Sequence, residues 1–173
     1  YDIYNQNDKF SLLLHLLKNS TPGLAIVFCA TRKETDIVAR NLRQQGINAS
    51  EIHGGMGQNK RSKSLDRKKK KKIDVLVATD VAARGLDIKD VSHVYNYDVP
   101  KTSKEYIHRI GRTARAGEKG NAVTLLTSRD HDNFRRVQSD GKFSIQQANF
   151  PKFNKVPFFR GFKKRKKQYS SNY

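Results

Sequence analysis

Two arginines three positions apart, Arg112 and Arg115, stand in a run at residues 108–117 that reads His-Arg-Ile-Gly-Arg-Thr-Ala-Arg-Ala-Gly. Arginine stays protonated and its planar fork matches phosphate oxygens, so a guanidinium pair on a rigid element suits the charge that develops in phosphoryl transfer. At about 100° per residue, a helix through this run sets Tyr106, Ile107, Ile110 and Ala114 on one side and His108, Arg112 and Arg115 on the other. An apolar stripe would then dock the helix while a row of cations faces a partner. A solvated basic face is the plainer reading of the same pattern.

Three further stretches carry related chemistry. Residues 78–87, Ala-Thr-Asp-Val-Ala-Ala-Arg-Gly-Leu-Asp, leave an apolar run and enter a loop. There the Thr79 hydroxyl can donate to a phosphate oxygen, Gly85 opens backbone conformations closed to other residues, and Asp87 can accept from a ribose hydroxyl. Residues 53–57, His-Gly-Gly-Met-Gly, precede Gln58-Asn59-Lys60-Arg61. Glycines at a strand-to-helix turn let backbone N–H groups approach phosphates, and the helix start adds a favourable dipole. Taken alone, such a turn is often only a turn. Residues 28–32 end on Thr31 and Arg32 after an apolar run that contains the single cysteine, Cys29.

The hydrophobic pattern indicates what must hold these residues. Asn7 or Asp8 caps a first helix in which Phe10, Leu13, Leu14 and Leu17 recur at helical spacing. Residues 24–29 are almost unbroken in apolar character, as in a strand buried on both faces of a parallel sheet. Thr31 and Glu34 have capping-box spacing and open a helix burying Ile37, Val38 and Leu42, with Gly46 as its stop. Further strands are expected over 47–53, 74–79, 92–97 and 121–126. Thr102 and Glu105 form a second capping box, and Ser128 caps a last helix that buries Phe134 and Val137. The alternation predicts an α/β domain with a mostly parallel sheet of about five strands over residues 1–148. In such sheets, sites gather at the carboxyl ends of the strands. Here those ends are Thr31-Arg32, His53-Gly54-Gly55, residues 79–87 and residues 98–100.

The balance of 35 Lys plus Arg against 16 Asp plus Glu, a formal charge of +19, points to a polyanionic partner. Nucleic acid comes first and an anionic membrane second. No apolar run reaches the roughly 20 residues of a spanning helix, so a soluble, intracellular domain is expected, cytoplasmic or, in a eukaryote, also nuclear. Cys29 has no second thiol to pair with and reads as a packing residue; no metal site is expected in the chain. It begins at Tyr1 without methionine, as a fragment would. Residues 149–173 read as a flexible basic tail. Beyond Pro151 it holds eight Lys or Arg, no acid, and the aromatics Phe153, Phe158, Phe159, Phe162, Tyr169 and Tyr173. Cations interleaved with rings suit single-stranded nucleic acid; a solubilising tail with some phenylalanines folded back is the other reading.

The run at 108–117 resembles motif VI of the DEAD-box RNA helicases, 78–87 resembles motif V, 28–32 resembles motif IV, and 53–61 is similar to the segment after the second strand of that family's C-terminal domain. The resemblance covers about residues 1–138 and identifies the chain as the second, C-terminal RecA-like domain of a superfamily 2 helicase, a three-layer fold with helices on both faces of the sheet. It implies arginine fingers at Arg112 and Arg115 and nucleotide contacts from Gly85 and Asp87. It also implies RNA-backbone contacts from Thr31, Arg32, Gly54, Gly55, Arg61 and Thr79. Asp80, Arg84, His108 and Arg109 would couple motif V to motif VI. RNA and an N-terminal RecA-like domain are the implied partners; ATP with Mg2+ would be held mainly by that domain. The chain contains neither Gly-x-x-x-x-Gly-Lys-Ser/Thr nor Asp-Glu-Ala-Asp, so by itself it is expected to be inactive towards ATP.

Three departures from the family pattern carry expectations. Ala30 stands where Asn is frequent, which removes a side-chain contact. Ala114 replaces a common Gly and favours helix by roughly 1 kcal/mol. Lysines at 68–72 stand where a Phe and a Gly usually close the helix, leaving Leu65 as its apolar anchor and predicting a frayed end. His108, where other superfamily 2 members generally carry Gln, argues against a DNA helicase. A stand-alone RNA-binding or chaperone module, using the tail and the lysine run, is the alternative from another functional class.

Overall fold

Five short segments pair side by side as β1 (Leu24–Phe28), β2 (Ala49–Ile52), β3 (Val75–Ala78), β4 (Val91–Asn96) and β5 (Asn121–Thr124). Their order is β2-β3-β1-β4-β5, and every pairing is parallel. The computed structural model describes residues 1–3, 5, 8–69, 73–84, 86, 88, 91–113, 120–141 and 144–161. Parallel strands need crossovers, which here carry the helices α2 (Arg32–Gln44), α3 (Gln58–Lys69), α4 (Asp80–Arg84) and α5 (Ser103–Ile110), while α1 (Asp8–Lys18) precedes β1 and α6 (His131–Gly141) follows β5.

Alternation along β1 shows how the sheet is filled. Ala25, Val27 and Cys29 pack with Leu13 and Leu14 of α1 and Val38 and Leu42 of α2. Ile26 and Phe28 face the opposite layer, with Leu76, Ala82, Ala83 and Ile88. Both faces are therefore dry, the condition that the unbroken apolar runs predicted. Cys29 is fully enclosed, and burial pushes its thiol well above the ordinary range. Both N-caps form: Thr31 Oγ1 accepts from Glu34 N at 3.1 Å and Thr102 Oγ1 from Glu105 N at 3.2 Å, while the two glutamate carboxylates pair with Arg160 and Arg84. Gly46 ends α2 at φ 82°, a conformation few other residues adopt without strain. Among the described residues, no helix is long and apolar enough to cross a membrane.

Three details differ from expectation. Asp130, rather than Ser128, organises the turn into α6, because its Oδ2 accepts from both the N–H and the hydroxyl of Thr127, at 2.9 and 2.8 Å. Residues 80–84 are not loop but the single-turn helix α4, whose Ala82 and Ala83 are buried. The third concerns the tail. Residues 153–160 lie along α1 and α2: Phe158 stacks on Phe10 with ring centroids 4.9 Å apart, and Val156 N donates to Ser11 Oγ at 3.0 Å. The Phe159 backbone exchanges two hydrogen bonds with the Asn41 amide, at 2.9 and 3.0 Å. Aromatic burial and a buried amide thus anchor a stretch read as flexible. Residues 162–173 of the tail, among them Phe162, Tyr169 and Tyr173, lie outside the described residues, as do Lys70, Lys71 and Lys72 at the expected frayed end.

This strap should contribute to stability. Phe158→Ala is expected to lower the unfolding free energy by about 1–2 kcal/mol, from lost apolar burial plus the ring pair. Urea denaturation of the 173-residue chain measures it, and an unchanged midpoint would mean the strap adds nothing.

Candidate nucleotide and RNA interface

Helix α5 follows β4 and ends at Ile110, with Gly111 as its cap. The expected helix through residue 115 therefore stops earlier, and residues 111–113 are turns. The face it buries also differs. Ile107, expected to dock, is 49% exposed, whereas Arg109 is 2% exposed.

The reason lies in the partners of Arg109. Its Nε and Nη2 each donate to a carboxylate oxygen of Asp80 at 2.7 Å, a bidentate pair. Its Nη1 donates to Asn96 Oδ1 at 3.1 Å and to the Asp98 carbonyl at 2.6 Å. The guanidinium also sits over the Phe28 ring, 4.9 Å from its centre. Charge-assisted bidentate hydrogen bonds are short and directional, so they fix where the guanidinium sits. Arg109 thereby ties α5 to the start of α4 and to the end of β4.

Arg112, one turn further on, is half-buried and donates from Nη1 to the Leu86 carbonyl at 3.2 Å. Arg84 of α4 pairs with Glu105 of α5 at 3.0 Å. Asp80, Arg84, Glu105, His108, Arg109 and Arg112 consequently gather around one shallow cleft between the two helices. His108 is exposed there. Arg115, Gly85 and Asp87 lie outside the described residues.

A second group stands at the carboxyl ends of the adjacent strands β1, β3 and β2. Thr31 and Arg32 follow β1, Thr79 follows β3, and Gly54 and Gly55 follow β2. Arg32 lies across the glycine pair: a methyl group added to Gly55 would stand 3.3 Å from Arg32 Cδ, and one on Gly54 would stand 3.5 Å from its Nη2. Thr31, Arg32, Gly54 and Gly55 are exposed, Arg61 is half-buried in the first turn of α3, and Thr79 is 9% exposed.

Asp98 links the two groups. Its Oδ2 accepts from Ala30 N at 2.8 Å while its carbonyl accepts from Arg109. The backbone of Ala30 is thus engaged where the residue's side chain is not. Lys9, 2% exposed, sits beneath and pairs with Asp130 at 3.0 Å and Asp98 at 3.4 Å. Sequence reading did not single out Lys9, Asn96 or the Asp36–His53 pair. The polar Asn96 at the end of β4, after Val94 and Tyr95, was the available signal, since buried polar groups need partners. A cavity of about 630 Å³ lies elsewhere, at the β5 edge against His131 and Phe134 of α6.

The helicase conserved C-terminal domain family matches residues 8–117. ATP-dependent RNA helicase CshA of Listeria monocytogenes is 46% identical over 152 residues, which cover 88% of this chain and 29% of that protein. DEAD-box ATP-dependent RNA helicase CshA of Bacillus licheniformis is 45% identical over 147 residues, 85% of this chain and 30% of that one. The chain belongs to the DEAD-box helicases. It corresponds to their C-terminal RecA-like domain and spans less than a third of these relatives. The crystal structure of the Escherichia coli DEAD-box protein SrmB bound to RraA superposes with a TM-score of 0.74 at 45% identity, covering 81% of this chain and 82% of that one. In this DEAD-box domain the matched segment takes in the α4–α5 cleft and the glycine turn alike.

Proposed function

We propose that this domain works in a longer ATP-dependent RNA helicase, supplying charge to the nucleotide and gripping the RNA backbone. The observation that carries the reading is the position of Arg112, braced against the Leu86 carbonyl beside the Arg109–Asp80 lock. ATP with Mg2+, held mainly by an N-terminal RecA-like domain, supplies the phosphoanhydride to be cleaved. The residues here fit a triphosphate delivered from outside, since Arg112 is a permanent cation at an open cleft. Arg112 balances the charge that grows on the transferred phosphoryl group, and Arg115 is assigned the same role by resemblance. Gly85 and Asp87 are assigned nucleotide contacts on the same ground. Arg84, His108 and the Asp80–Arg109 pair carry changes in the cleft to the RNA side.

Thr31, Arg32, Gly54, Gly55, Arg61 and Thr79 hold phosphates and sugars. Such contacts position a strand without reading its bases. The surface charge favours a polyanion and is sensitive to salt. The 173-residue chain alone cleaves no ATP, since it lacks the phosphate loop and the magnesium carboxylates. Residues 1–148 form the helicase domain, and the cationic tail from 149 adds RNA affinity.

The test is ATP turnover by the full-length protein with single-stranded RNA or with DNA of the same sequence. RNA is expected to stimulate turnover at least about tenfold more than DNA, the discrimination available to a site that reads ribose 2′-hydroxyls. Equal stimulation by the two would overturn the RNA assignment.

A further inference from the structure

The turn after β2 is built around a histidine that none of the roles above uses. His53 is 7% exposed. Its Nδ1 accepts a hydrogen bond from Gly55 N at 3.2 Å, and its Nε2 stands 2.9 Å from Asp36 Oδ1 on α2. A ring nitrogen that accepts from an N–H carries no proton of its own, so the ring proton is on Nε2 and is donated to Asp36. The neutral ring thus runs as a strut from α2 to the glycine turn. The Arg32 side chain closes over the same glycine: a methyl on Gly55 would meet both Arg32 Cδ and His53 Nδ1 at 3.3 Å. Ring and Arg32 thus flank one small space beside Gly55 that no side chain could enter without displacing one of them.

We propose that His53 is a positioning residue for RNA binding, acting through one tautomer to fix the Gly54–Gly55 turn and the Arg32 guanidinium in the geometry that grips a phosphate. This rests on the reading that the turn and Arg32 touch RNA. It also refines that reading: the Gly55 N–H is engaged by the ring, which leaves Gly54 as the donor that the turn presents. Asp36 holds the ring in its tautomer, as a carboxylate orients an imidazole elsewhere.

Two substitutions separate the two ring nitrogens. In His53→Asn the amide oxygen falls near the place of Nδ1 and can accept from Gly55, while the reach to Asp36 is lost. In His53→Gln the amide extends to Asp36 and the Gly55 N–H is left without its acceptor. In the full-length helicase, the RNA concentration giving half-maximal ATP turnover is expected to rise about tenfold for His53→Gln, the effect of one unsatisfied donor. The maximum rate should stay within about twofold, and His53→Asn within about threefold of wild type, on the same hydrogen-bond arithmetic. Arg32→Gln serves as the control for the contact itself. A normal His53→Gln beside a weakened Arg32→Gln would overturn the proposal while leaving the RNA reading intact. Normal behaviour of both would overturn the two together. Equal losses in His53→Asn and His53→Gln, with equally lowered melting temperatures, would make the ring a packing element only and also overturn the proposal.

Discussion

Arg109→Ala is expected to destabilise the domain by about 3 kcal/mol or more, the range for removing one partner of a buried ion pair. Four hydrogen bonds leave this side chain, two to Asp80, one to Asn96 and one to the Asp98 carbonyl. Truncation leaves the Asn96 side chain, itself fully buried, without one acceptor contact. Asp80 keeps some hydration, its side chain being 20% exposed, which places the expected loss at the lower end of the range. Domains of this size hold roughly 5–15 kcal/mol in total, so the variant should unfold at a much lower urea concentration. Arg109→Lys should recover less than half of the loss, because one ammonium cannot reproduce a bidentate fork. Asp80→Asn in the Arg109→Ala background should add little, since the partner is already gone. Urea unfolding of these forms, with Asp80→Asn alone completing the cycle, gives the coupling; an Arg109→Ala loss below about 1 kcal/mol, the size of an exposed pair, would show that the lock is not structural.

The resemblance placed Arg109 with Asp80 in the coupling of motif V to motif VI, but the burial of its side chain was not legible. A helical wheel over 106–115 treats arginine as solvent-facing and Ile107 as core. The reversal depends on Asp80, which lies 29 positions away, and no local periodicity carries that pairing. By contrast, the inner strands β1 and β3 were legible because both their faces are buried, so that they read as apolar runs. The N-caps were legible because Thr followed three residues later by Glu marks a helix start within one turn. Helix α4 was missed because five residues are too few for a period to show. The strap was read as tail because Phe158 and its neighbours sit among cations. The counter-signal was Asn41, a polar side chain on the apolar face of α2 beside Ile37 and Leu42, whose partner proved to be the Phe159 backbone. The strand-end positions Thr31, Arg32, Gly54, Gly55 and Thr79 were placeable from topology, whereas the His53 strut beneath the glycines needed coordinates.

The central claim is that Arg112 stands ready for a triphosphate brought by another domain. Steady-state ATP turnover by the full-length helicase at saturating RNA, wild type against Arg112→Ala, tests it most directly. Among the described residues the side chain donates one hydrogen bond, to the Leu86 carbonyl, so its removal should scarcely change the unfolding midpoint. Turnover should fall by about 10³-fold or more, the contribution of an arginine finger, and Arg112→Lys should restore little of it. A decrease of less than about tenfold, well short of that contribution, would contradict the account and leave Arg112 as a cation on a basic surface.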